Sequence, residues 1–87
     1  MKVIMKNIET IAWFKNNEHP IPIRLRITDH EMGNIVIPIE HILFSEEERY
    51  AGNRMILYRC KSTINNIEKL FELKYEIDTC NWFLFKM

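Results

Sequence analysis

Apolar and polar positions alternate through residues 54–87 so that this segment folds back on itself. With a two-residue turn at Asn65-Asn66 and Ile64 facing Ile67, Ile56, Tyr58 and Cys60 fall opposite Tyr75, Leu73 and Phe71. The same register sets Arg59 opposite Glu72 and Leu57 opposite Lys74 on the other face. One pairing yields an apolar face and a charge-matched face, and a slip of one residue would scramble both. Asparagine suits the turn because its short polar side chain tolerates positive φ.

The rest of the chain carries weaker versions of the same period. Residues 7–15 are rich in strand formers, with Ile11 and Trp13 on one face and Ala12 and Phe14 on the other. Residues 16–20 (NNEHP) are turn chemistry. Ile21, Ile23, Leu25 and Ile27 then alternate with Pro22, Arg24, Arg26 and Thr28. Pro22 lacks a ladder donor, so its strand begins at an edge or a bulge. A turn is expected over 29–33, where Gly33 supplies backbone freedom. Ile35, Ile37 and Ile39 alternate with Val36, Pro38 and Glu40.

Ser45-Glu46-Glu47-Glu48 has the spacing of a helix capping box, with Gly52 at the place of a left-handed terminator, and predicts one short helix near 46–51. Strands follow from Arg54 and from Ile67, and a last one covers 82–86. For that strand a three-residue loop at 78–80 sets Phe83, Phe85 and Met87 beside Tyr75, Leu73 and Phe71, with Lys86 opposite Glu72. A two-residue loop turns Trp82 and Leu84 inward and strands Lys86 among apolar neighbours. The first satisfies both faces and is preferred. Its consequence is an outward apolar row of Met55, Leu57, Trp82 and Leu84, which either faces a partner or forms a second layer covered by the short helix or by Trp13 and Phe14. The expected architecture is all-β: one domain over 1–87, an antiparallel meander of five to six strands forming a partly open SH3-like barrel.

At 87 residues the chain has room for one core, and a domain of this size buries only about 60–65% of its unfolded surface, so a partner or a staple would add much to its stability. Twelve basic and twelve acidic residues cancel, which weakens strong non-specific attraction to nucleic acid and removes repulsion between copies. The first residues resemble no secretion signal, and no apolar run reaches the length of a membrane span. Cys60 sits mid-strand and Cys80 in the following turn, about six ladder positions away, roughly 20 Å. A disulfide needs Cα atoms within about 7 Å, so free thiols and a cytoplasmic setting are expected.

Catalytic chemistry finds little to work with. His19, His30 and His41 lack the close-pair spacing of metal ligands, and the first two lie at opposite ends of one strand; with Cys80 they make no zinc set. Cys60 falls among Tyr58 and Phe71, where a thiol is a small hydrophobe. The acidic groups are solvated or paired, and two glycines preclude a phosphate loop. No catalytic residue, metal or cofactor is assigned. The leading expectation is a non-enzymatic interaction module, self-associating or docking on another protein through Met55, Leu57, Trp82 and Leu84. The alternative is a nucleic-acid-binding barrel whose cations are Arg24, Arg26, Arg59 and Lys61.

Overall fold

The computed structural model describes residues 1–30 and 33–87, residue 29 in its backbone alone. Among the described residues there are seven strands: β1 (Val3–Trp13), β2 (Ile21–Asp29), β3 (Gly33–Pro38), β4 (His41–Tyr50), β5 (Asn53–Ile64), β6 (Ile67–Glu76) and β7 (Asn81–Lys86). All ladders are antiparallel, in the order β3-β2-β1-β7-β6-β5-β4, and the sheet is not closed. The expected turn over 29–33 lies partly outside the described residues.

The ladder directions make β3 and β4, at opposite edges of the sheet, run the same way. A link of only Ile39 and Glu40 therefore bends one path and reverses nothing. β1 makes the other corner, pairing with β7 through its first half and with β2 through its second. The result is two facing sheets, β1-β2-β3 and β1-β7-β6-β5-β4, joined at one corner by β1, which changes partner, and at the other by the short β3–β4 link. Side chains tie the β3–β4 corner: Ser62 Oγ donates to Pro38 O at 2.8 Å and accepts from Glu40 N at 3.1 Å, and Thr63 N donates to Glu40 Oε1.

β5 and β6 pair in the expected register, from Ile64 opposite Ile67 through Cys60 opposite Phe71 to Ile56 opposite Tyr75. Asn65 and Asn66 both hold positive φ, 51° and 64°, the signature of a type I′ turn. The inward positions join Leu25 and Ile37 of the facing sheet in one core with Leu73, Trp82 and Leu84. Tyr58 crosses this core, and its buried hydroxyl donates to Pro20 O, anchoring the β1–β2 connection. Pro22 sits, as expected, at a bulge: Ile11 pairs with Arg24 and Ala12 with Pro22, leaving Ile23 as the extra residue.

Three expectations are corrected. The short helix at 46–51 is absent: residues 41–50 form β4, paired along β5 from His41–Lys61 to Tyr50–Asn53. A capping box contributes on the order of 1 kcal/mol, and nine ladder positions with Glu47–Arg54 and Glu48–Lys74 ion pairs outweigh it. Gly52 does need its positive φ (84°), but in the two-residue β4–β5 turn. The strand count accordingly rises to seven.

The third correction concerns β7. Tyr75 faces Trp82 and Leu73 faces Leu84, the register with Trp82 and Leu84 inward; one extra residue, Phe85, then brings Lys86 opposite Glu72. The bulge reconciles both registers, one at each end of the strand. Met55, Leu57, Trp82 and Leu84 therefore form no single outward row. Trp82 and Leu84 lie in the core, 7% and 2% exposed, while Met55 and Leu57 face outward yet are each only 7% exposed.

Replacing Asn66 by Gly should raise stability by up to about 1 kcal/mol, because positive φ is then free of Cβ strain; a loss in urea unfolding would contradict the turn. Leu84→Ala should cost about 2–5 kcal/mol as an inward side chain, whereas an outward Leu84 would give a change well under 1 kcal/mol.

Candidate binding faces of the two sheets

The outer faces of the two sheets differ in how their charges are used. On β4–β7 the charges are folded into the surface. Glu72 is 3% exposed and accepts from Arg59 Nε at 3.0 Å and Nη2 at 2.8 Å, with Lys86 opposite it in the ladder. Arg59 also lies over the Phe44 ring at 5.1 Å. Lys74 Nζ is 3.0 Å from Glu48 Oε2 and 3.9 Å from the Phe85 ring centre. These long side chains flank Met55 and Leu57 in the ladder and complete a second, thin layer, so Met55 and Leu57 are covered within the chain.

The four expected cations are divided by this arrangement. Arg59 is committed to Glu72, and Lys61 lies 3.8 Å from Glu68 on β6. Arg24 and Arg26 stand on β2, in the other sheet, beyond the β3–β4 path. Arg26 donates from Nε and Nη2 to both oxygens of Glu9, at 3.1 and 2.7 Å. This pair holds the Glu9 carboxyl below its ordinary range, first by the hydrogen bond and then by charge. Arg24 has no acidic partner among the described residues.

Around these two arginines lies a shallow groove of about 410 Å³ over β1, β2 and β3, lined by Glu9, Thr10, Ile11, Arg24, Leu25, Arg26 and Val36. Small Thr10 and Ala12 take the half-buried inward positions of β1, which leaves the larger Ile11 and Trp13 outside. Ile11, Trp13 and Val36 are 53%, 55% and 51% exposed. Ile11 stands opposite Arg24, Val36 opposite Arg26, and Trp13 one pleat beyond Ile11, with the Lys15 ammonium 4.3 Å from its ring centre. The face thus combines half-exposed apolar side chains with a cationic rim. Sequence pattern had placed Ile11 with Trp13 and Arg24 with Arg26 on shared faces, but it could not join the two pairs.

The remaining candidates stay apart. His19 lies 4.0 Å from Glu47, and no group of three metal-ligating side chains converges among the described residues. Both cysteines are free, Cys60 buried and Cys80 exposed. Burial, then the Glu72 charge, pushes the Cys60 thiol up to about 12. Burial likewise raises the Tyr58 hydroxyl, and burial with the Cys80 hydrogen bond raises Tyr75 to about 12. No helix among the described residues is long and apolar enough to cross a membrane. No family model, curated protein or solved structure matches this chain.

Two outcomes follow from these geometries. Iodoacetamide at pH 8 should label Cys80 alone in the folded protein and both thiols in denaturant, as read by intact mass. In the fold Cys60, Tyr58 and Tyr75 keep their protons to higher pH than in the unfolded chain, where ionisation starts near pH 9–10. Ionisation above that range favours the unfolded state, so stability should fall from about pH 9 upward; urea midpoints flat to pH 11 would contradict the buried placement.

Removing Arg59 strands a buried carboxylate. Arg59→Ala should cost about 3–5 kcal/mol and Arg26→Ala far less, since its ion pair is exposed. Adding Glu72→Gln to Arg59→Ala should restore much of the loss in urea unfolding; equal costs for the two arginines would refute the contrast.

Proposed function

We propose that this protein is a non-enzymatic, cytoplasmic interaction module that docks on another protein through the outer face of β1, β2 and β3. The observation carrying this is the grouping of half-exposed Ile11, Trp13 and Val36 around Arg24, which lacks an acidic partner among the described residues. Exposed aromatic and aliphatic anchors beside an uncommitted guanidinium are the makings of an interface centre. The cationic rim (Lys15, Arg24 and Arg26 against Glu9) fits a partner that is apolar at its centre and acidic around it. The docking surface is thereby moved from Met55, Leu57, Trp82 and Leu84 to the small sheet. As a barrel-like scaffold of SH3-like scale, the fold supplies rigidity and leaves specificity to this face.

Nucleic acid is the second reading, and Trp13 is what favours it: a half-exposed ring beside Lys15, Arg24 and Arg26 matches the stacking platforms of single-strand binders. Arg59 and Lys61 drop out of that reading because each faces an acid within its own sheet.

Tryptophan emission separates the two, since Trp82 is buried and Trp13 is the ring a ligand would reach. An acidic, aromatic-rich polypeptide such as poly(Glu,Tyr) should shift the emission at low salt. Arg24→Glu with Arg26→Glu should abolish the shift while leaving the circular dichroism unchanged. A stronger response to oligo(dT), lost in the same variant and falling steeply with salt, would hand the face to nucleic acid. No response to either would overturn the docking face.

A further inference from the structure

The two edge strands of the sheet are β3 and β4, and they are protected very differently. β4 carries Glu46, Glu47, Glu48 and Arg49 in succession. A foreign strand laid along it would have to desolvate those charges, a common device against edge-to-edge pairing. β3 reads Gly-Asn-Ile-Val-Ile-Pro and carries no charge. Three consecutive β-branched residues at an uncharged edge are what a pairing strand requires.

The hydrogen-bond phase of β3 tells which backbone groups are free. In an antiparallel strand the N–H and C=O of one residue point to the same side and alternate along the chain. Ile39 N donates to Ile23 O at 2.9 Å, so the odd residues Ile35 and Ile37 address β2. The even residues turn their groups the other way, and Pro38 O accordingly accepts from Ser62 Oγ. The N–H and C=O of Asn34 and of Val36 thus point out of the sheet edge, a closely spaced set of two donors and two acceptors.

We propose that β3 pairs antiparallel with β3 of a second copy about a two-fold axis at Ile35. In this register Asn34 exchanges both backbone bonds with Val36 of the second copy, and Val36 with its Asn34. All the free edge groups between Gly33 and Pro38 are used, and Pro38, which has no donor, is left out. Ile35 meets its own copy across a close, non-hydrogen-bonded pair. The chain's formal net charge of zero adds no long-range repulsion to such a dimer. A six-residue ladder alone is small beside the roughly 1,200–2,000 Å² of a stable interface, so association is expected in the micromolar range or weaker. The two small sheets become one of six strands, and their outer faces, each with Ile11, Trp13 and Arg24, lie side by side. This pairing does not depend on what those outer faces bind.

Sedimentation equilibrium of the wild-type protein should show a reversible monomer–dimer equilibrium. Amide exchange should slow at Asn34 and Val36 as concentration rises, while Ile35 and Ile37 stay protected throughout. Val36→Pro removes an edge donor without removing a bond to β2, and Val36→Lys sets two ammonium groups near the axis. Each should weaken dimerisation at least tenfold with an unchanged circular dichroism spectrum; should the proline variant unfold, the lysine variant decides. Wild-type protein that stays monomeric to about 1 mM, or a dimer unaffected by Val36→Lys, overturns the proposal. So does fast, concentration-independent exchange at Asn34 and Val36, which would leave the edge to a strand of another protein.

Discussion

The β5–β6 hairpin sets the phase for every strand packed against it. Its ten paired positions fix which side of each strand is interior, because antiparallel partners share a face and successive residues do not. β7 and β4 dock on this hairpin and inherit its phase. The core residues of the second sheet, Leu25 and Ile37, close over the surface that β5 and β6 present. Two asparagines at positive φ hold that phase at the turn. A one-residue slip there would turn the inward side chains of one strand out into solvent, Phe71, Leu73 and Tyr75 of β6 for example, a loss comparable to the whole stability of a small domain.

Bulges then adjust what a strict period of two cannot. Extra residues at Ile23 in β2, Leu43 in β4 and Phe85 in β7 each shift the phase by one. The Phe85 bulge lets Trp82 and Leu84 enter the core while Lys86 still reaches the Glu72 row. Ile23 and Leu43 are left half exposed by theirs. Such insertions also sharpen twist, which helps a small sheet fold over on itself.

The division of labour between the two sheets bears on function. The larger sheet spends its outer charges on itself: Arg59 on Glu72 and Lys74 on Glu48, with aromatic rings between. The smaller sheet leaves Arg24, Ile11, Trp13 and Val36 open and ends in an uncharged edge. One face pairs its charges within itself, and the other leaves the Arg24 guanidinium without an acidic partner among the described residues.

Local pattern was enough for the β5–β6 pairing, the Asn65-Asn66 turn, the facing of β3 and of β2 from Arg24 onward, and the free state of the cysteines; in β2 the bulge at Ile23 turned Pro22 inward and Ile23 outward, against the expected alternation. In each case the inward and outward positions differ strongly in polarity, or the covalent distance decides. β4 became a strand through its pairing with β5, because its inward positions include Ser45 and Glu47 and the bulge at Leu43 breaks the alternation; the local capping box was the louder signal until β5 supplied a ladder. Tertiary structure also decided β7, where two registers each satisfied half of the strand and a bulge allowed both. The candidate face was legible as two separate pairs, Ile11 with Trp13 and Arg24 with Arg26. Their union depended on β1 changing partner from β7 to β2 midway, and a long-range pairing of that kind leaves no periodic mark in either strand.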